Sequence, residues 1–393
     1  MILRYEPWGA WAKIESPAAL VALDRDAVRA IGFDGGAVWS DERTARPSPP
    51  IEVHVAVTSR CAAGCTGCYL DARPDGHEVP RATVVASLDA LAAAGVFTVA
   101  FGGGEPTTRD DLDVLAAAAR ARGITPVLTT SGLGLSGDAA RVERLRGFAQ
   151  VNVSYDGVGE AYAQVRGFDG ARHAEAAIEA LVRAGIPVGV NVVLTRDTFD
   201  ALEATLARAR SLGAREAQLL RYKPAGRAAA SLDYLARRLS AEQGRALGPI
   251  LRRIALGSGV ESGFRVRIDC ALVPFLSADP MIDAEVLARF GVLGCEGGEA
   301  LAALRVDGRV APCSFAEATS LGVGDLVRSD AGSAEDPELA QWRAWNAAPP
   351  EPCASCALKS VCRGGCKVVA RHVDGVHGSD PECPRVRAYR GDA

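Results

Sequence analysis

The chain has 393 residues, 11 cysteines and a formal net charge of -4, with 44 basic residues against 48 acidic ones. This balance argues against a dedicated nucleic-acid or membrane-surface binder, which would carry a basic surplus. No apolar run approaches the ~18 residues of a spanning helix, and the start Met1-Ile2-Leu3-Arg4-Tyr5-Glu6 lacks the layout of a secretory signal. A cytoplasmic location is expected. A reducing compartment disfavours structural disulfides, and an odd cysteine count fits full pairing poorly, so metal ligation is the leading explanation for the cysteines. Forty of the basic residues are Arg and four are Lys, which together with the Ala and Gly content reads as coding bias rather than as a site.

Residues 1–50 hold three of the five tryptophans (Trp8, Trp11, Trp39) and end in the stiff run Arg46-Pro47-Ser48-Pro49-Pro50. A small β element packed on the next unit is expected here, with a docking surface for a partner as the other reading.

Residues 51–256 alternate short apolar runs with Ala/Leu/Arg stretches. The runs at 51–58, 96–102, 125–130, 151–155, 188–194 and 217–221 read as strands. Helices are predicted near 81–94, 110–122, 138–147, 171–184, 199–212 and 232–256. Gly95, Gly123, Gly185 and Gly213 stand where helix C-caps belong. This spacing means βαβ units and a parallel sheet. Six repeats are too few for a closed eight-stranded barrel, so an α/β fold with a partial (β/α)6, TIM-like barrel is predicted, with its chemistry at the C-terminal strand ends. Beyond 257 the alternation stops, and Gly, turns and Cys dominate a third unit, 257–393.

The cysteines fall in two groups. Cys61, Cys65 and Cys68 follow the first barrel strand as C-x3-C-x2-C. Three thiolates on one tight loop can hold three irons of a [4Fe–4S] cube and leave the fourth open. A zinc site completed by His77 is the alternative. The second strand ends in Phe101-Gly102-Gly103-Gly104-Glu105-Pro106, which by itself reads either as a simple turn or as glycines that let a ligand come close.

These residues resemble the radical S-adenosylmethionine superfamily, whose defining three-cysteine loop follows the first barrel strand. The resemblance implies that the open iron binds the amino and carboxylate groups of S-adenosylmethionine. It places Gly67 and Tyr69 at the adenine and Gly103, Gly104 and Glu105 at the ammonium. Val153-Ser154-Tyr155-Asp156-Gly157 and Val165-Arg166-Gly167 are similar to one branch of the family. That similarity assigns Ser154 to the nucleoside and Arg166 to the carboxylate. Asn191 is expected near the ribose, and Leu220 and Arg221 near the adenine pocket. The family usually carries an aromatic residue just before the last cysteine, where this chain has Gly67.

The remaining cysteines are Cys270, Cys295, Cys313, Cys353, Cys356, Cys362, Cys366 and Cys383. From Cys295 onward they resemble the SPASM domain of peptide- and protein-modifying members. The resemblance implies two auxiliary [4Fe–4S] clusters and three in all. One would use Cys270, Cys295, Cys313 and Cys366, the other Cys353, Cys356, Cys362 and Cys383. Cys270 stands 25 residues before Cys295, across a segment, 271–294, that reads as an insert and includes a helix near 282–290; without it the first auxiliary cluster would have an open iron. The residue after Cys313 is Ser314 rather than the Asp or Glu expected of an anaerobic sulfatase maturase. An oxidoreductase that matures a peptide or protein is expected, with a flavodoxin or ferredoxin as electron donor. Residues 1–50 are short for a leader-binding domain, so a separate leader-peptide-binding protein, or strand addition to the N-terminal sheet, would present the peptide. The alternatives are the same chemistry on a small molecule, of porphyrin decarboxylase or alcohol dehydrogenase type, and a non-enzymatic iron–sulfur scaffold. His54 reads as a satisfied core histidine; His173, His372 and His377 read as solvent-exposed.

Overall fold

The computed structural model describes residues 1–16, 18–40, 48–257, 263–326, 336–375 and 378–392. Arg46 and Pro47 of the expected stiff run, and His377, lie outside the described residues.

Three strands, β1 (Ile2–Glu6), β2 (Gly9–Glu15) and β3 (Ala18–Asp24), form an antiparallel sheet in that order, followed by the helix Arg25–Ala30. Trp39 fastens this unit: its ring meets Tyr5 edge-on, and its Nε1 donates to the Glu6 and Gly9 carbonyls. Arg4 joins the sheet to the rest of the chain through the carbonyls of Pro49, Pro50 and Gly95.

The six predicted barrel strands are β4 (Glu52–Thr58), β5 (Thr98–Gly103), β6 (Thr125–Thr130), β7 (Gln150–Ser154), β8 (Val188–Leu194) and β9 (Glu216–Arg221). Each pairs in parallel with the next. Two more parallel strands come from beyond residue 256. β10 (Arg265–Ile268) lies beside β9, and β11 (Leu301–Leu304) beside β4, with the short β12 (Val310–Ala311) antiparallel to β11. The order β10-β9-β8-β7-β6-β5-β4-β11-β12 has two ends, so the barrel is open.

Alternation decides which face is which. On β4, Val53, Val55 and Val57 are buried with Leu88 and Leu91 of the helix Arg81–Ala93. His54 and Ala56 point the other way, into the partly open interior. The same rule puts Ser154, Asn191 and Gln218 on the interior face, since Ser154 pairs with Asn191 and Asn191 with Gln218. The helices end at the expected glycines, all in the left-handed region. The helix predicted over 232–256 is two helices, Ser231–Arg237 and Ala241–Gly257. Ser240 starts the second, because its Oγ accepts from Gln243 N while Gln243 Oε1 accepts from Ser240 N, a reciprocal cap.

Candidate functional site

β4 ends at Thr58, and the cysteine loop begins at once. The loop is folded on itself through Ser59 N to His77 O and Cys61 N to Arg73 O. Each of its three sulfurs accepts one N–H. Ala63 N donates to Cys61 and Ala72 N to Cys68, both at 3.5 Å, and Arg166 Nη1 donates to Cys65 at 3.7 Å. Burial pushes the Cys61 thiol up, and Glu105, Cys65 and Cys68 push it further, so these groups stand within electrostatic reach of one another. Arg166 is fixed by Asp156, whose other oxygen accepts from Val193 N. Burial works against the charge on Arg166, but Asp156 and Cys65 outweigh it.

Two glycines of the 102–104 run, Gly103 and Gly104, also have a local use. A Cβ on Gly103 would lie 2.1 Å from Thr58 O, and one on Gly104 would lie 2.2 Å from Arg60 O. The close approach is that of the cysteine loop's own backbone, sealed by Gly104 N to Thr58 O and Glu105 N to Arg60 O. Glu105 is buried and already accepts from Thr107 N, Thr107 Oγ1, Thr130 Oγ1, Ser131 N and Ser131 Oγ. Five donors fill the acceptor capacity of a carboxylate.

Gly67 also has a local reason. A Cβ there would lie 2.8 Å from the ring of Tyr222, so an aromatic side chain from the end of β9 stands over the residue before Cys68. Tyr69 packs on Phe315, ring centroids 4.9 Å apart, and burial pushes its hydroxyl up to about 12. Two residues escaped sequence reasoning. Arg227 Nε donates to Cys65 O and its Nη1 to Asp71 and Ala72 O, clamping the cysteine loop from across the barrel. Its sequence signal is the Gly226-Arg227 pair just after the last strand. Tyr162, four residues before Arg166, is fully buried; its Oη has no hydrogen-bond partner among the described residues, and Arg166, Asp156, Cys65 and Glu105 act on it electrostatically.

Arg221 departs from expectation. Its guanidinium is buried against Asp380, Glu382 and Ala271 O, and lies over the Phe275 ring. It joins the barrel to the C-terminal unit, because the strand pleat turns residue 221 away from the face that carries Leu220. Leu220, opposite Val193, remains half-buried.

All eleven cysteines are free thiols. The C-terminal eight form two sets by mutual influence. Cys295 and Cys366 act on Cys270, and Cys295 acts on Cys313. Cys383, Cys353 and Cys356 act on Cys362, and these four line one cavity with Pro274, Ser277 and Leu358. Burial pushes the Cys313 thiol up to about 11 and the Cys366 thiol up to about 12. Among the described residues, no three His, Cys, Asp or Glu side chains converge on a point that would hold a single metal ion. His77 is exposed and lines a cavity of about 310 Å³ with Thr83, Ser87 and Arg305, apart from the thiols. His54 bridges Ser314 Oγ at 2.7 Å and Glu52 Oε1 at 3.0 Å. His173 is exposed as expected, whereas His372 meets the Tyr234 ring edge-on, 5.4 Å between centroids. Among the described residues, no helix is long and apolar enough to cross a membrane.

Residues 55–209 match the Radical SAM superfamily. The PqqA peptide cyclase of Ruegeria pomeroyi is 30% identical over 347 residues, 86% of this chain and 87% of that one. The chain belongs to the radical S-adenosylmethionine superfamily. A pre-heme d1 synthase of Dinoroseobacter shibae is 29% identical over 371 residues, 89% of this chain and 90% of that one. The Streptococcus suis SuiB structure bound to precursor peptide SuiA superposes with a TM-score of 0.72 at 17% identity, covering 97% of this chain and 98% of that chain. The architecture is that of the SPASM-type branch. As a radical S-adenosylmethionine enzyme, the chain works with a [4Fe–4S] cluster and S-adenosylmethionine. The site fits them: three hydrogen-bonded sulfurs, a fixed guanidinium and an orphaned buried hydroxyl meet at one end of the barrel.

Proposed function

We propose that this enzyme oxidatively modifies a peptide or protein and carries three [4Fe–4S] clusters. Cys61, Cys65 and Cys68 would hold one with an open iron. Cys270, Cys295, Cys313 and Cys366 would hold the second, and Cys353, Cys356, Cys362 and Cys383 the third. The observation that carries this reading is the division of eleven thiols into one set of three and two sets of four. When bound, the first cluster and S-adenosylmethionine supply a 5′-deoxyadenosyl radical that takes hydrogen from an unactivated carbon.

The chain's own residues bind and orient. Ala63 N, Ala72 N and Arg166 donate to the three sulfurs and would steady them as cluster ligands. Arg166, anchored by Asp156, also meets the ligand carboxylate, and the Tyr162 hydroxyl finds its missing partner there. Glu105, with its five donors, fixes the loop, so backbone carbonyls of Gly103 and Gly104 are left for the ammonium. Ser154 and Asn191 face the ribose, and Gly67, Tyr69 and Leu220 border the adenine. The Tyr69–Phe315 contact joins the loops that carry Cys68 and Cys313, which supports electron exchange between the two clusters.

A peptide substrate is supported by the cyclase relative and by the precursor peptide in the SuiB structure. Strand addition to β1–β3, or a separate leader-binding protein, would present it in the cytoplasm, with a flavodoxin or ferredoxin supplying electrons. A small-molecule substrate is the second reading, favoured by the pre-heme d1 synthase relative.

The test is anaerobic reconstitution with dithionite and S-adenosylmethionine. Wild-type protein is expected to hold about twelve irons and to release 5′-deoxyadenosine. Co-expression with a short peptide encoded beside its gene is expected to change that peptide's mass. No 5′-deoxyadenosine above the Cys65→Ala level would sink the proposal; a tetrapyrrole consumed in place of the peptide would select the second reading.

A further inference from the structure

Lys223 is buried just past the end of β9. Its ammonium donates to Asp269 Oδ2 and lies 4.1 Å from the centroid of the Phe315 ring. Asp269 precedes Cys270 in the chain, and Cys270 Sγ stands 3.2 Å from Asp269 Oδ1. Phe315 follows Cys313 by two residues. Cys366 packs in one apolar cluster with Tyr222, the residue before Lys223, and with Ala271. Three of the four thiols in this set are therefore carried by segments that meet at this cation or at its neighbour in the chain.

Asp269 does not cancel this cation outright. Its carboxylate is shared with Arg221 N and Ala271 N as well as Lys223, and it takes one of three ammonium donors. A cluster on these thiols gains one negative charge when it accepts an electron. No bond forms or breaks in that step. A fixed cation in a water-poor interior favours the more negative state.

We propose that Lys223, oriented by Asp269, tunes the cluster of Cys270, Cys295, Cys313 and Cys366 toward electron acceptance. The role rests on reading those four cysteines as cluster ligands. It suits that cluster to receive the electron that an oxidised substrate gives up.

The experiment is a redox titration of the reconstituted holoenzyme, followed by electron paramagnetic resonance. The relevant signal is the one that Cys313→Ala abolishes. At fixed solution potential, Lys223→Met is expected to lower the reduced-to-oxidised ratio of that signal about tenfold. Asp269→Asn is expected to raise it. An unchanged ratio in Lys223→Met with full iron content overturns the proposal. If Lys223→Met fails to hold the cluster, Asp269→Asn decides, and an unchanged ratio there overturns it equally. Wild-type protein with iron for two clusters, unaltered by Cys313→Ala, would instead refute the ligand assignment, and with it the role of Lys223.

Discussion

Arg221 at the end of β9 donates to Asp380 at 3.0 Å and to Glu382 at 2.8 Å, partners 159 and 161 residues further along the chain. All three side chains are buried. Asp380 also accepts from Cys366 N at 3.0 Å, so one carboxylate ties the last predicted barrel strand to the backbone of a C-terminal cysteine. Removing Asp380 strips Arg221 of one of its two buried carboxylates and Cys366 N of its acceptor. Asp380→Asn is expected to cost about 3–5 kcal/mol. Denaturant unfolding of the holo protein measures this, and a loss below about 1 kcal/mol would mean that the ion pair is not holding the two units together.

Gly226 sits at φ +56°, where an added Cβ would lie 2.5 Å from Cys68 O and from the Tyr69 backbone. Gly226→Ala is expected to displace the cysteine loop, costing more than about 1 kcal/mol and about four irons per chain. Iron and sulfide assays check this. Full iron content in the variant would show that the loop yields without consequence.

Arg166→Met removes the donor to Cys65 and the proposed partner of the ligand carboxylate. S-adenosylmethionine affinity is expected to fall roughly 10–100-fold, the range of a lost charge-assisted hydrogen bond. Anaerobic binding titration reads it out. Unchanged affinity alongside an altered first-cluster spectrum would assign Arg166 to the sulfur alone.

The thiols give a pH prediction. Cys313 and Cys366 rise from 9.0 in their ordinary state to about 11 and about 12 in the folded, metal-free chain. A raised folded value means that the folded state binds the proton more tightly. Its contribution to stability is full below pH 9 and is lost as pH rises through 11 and 12. Metal-free protein is therefore expected to unfold more easily as pH climbs past 9. Cluster loading must strip these protons, so it is expected to acidify a weakly buffered solution. Stability that stays flat or rises over that window would contradict the assignment.

Much of this was legible because the chemistry is local in sequence. The C-x3-C-x2-C loop, the six strands and the glycine caps sit in short windows whose spacing carries the signal. What stayed hidden depends on distant contacts. Nothing near Gly67 says that Tyr222 covers it from across the barrel. Nothing in the glycine run before Glu105 says that Thr58 O and Arg60 O press against Gly103 and Gly104. Arg221 reads as a site residue by its neighbours, yet the pleat sends it toward Asp380. β10 and β11 were missed because four-residue strands amid turns carry too little periodicity to stand out.

The position of the N-terminal sheet sets a length scale. Arg4 reaches Gly95 O and Lys13 reaches Gly123 O, in the turns that lead into β5 and β6. The cysteine loop lies at the other end, beyond the last residue of β4. Between them stands a strand of seven residues, roughly 23 Å at the usual rise. A peptide gripped by the sheet at one end and reacting at the other must span that height. Recognition and chemistry would then be separated by at least about seven extended residues, and the barrel wall would act as a ruler that selects which residue of the peptide is reached.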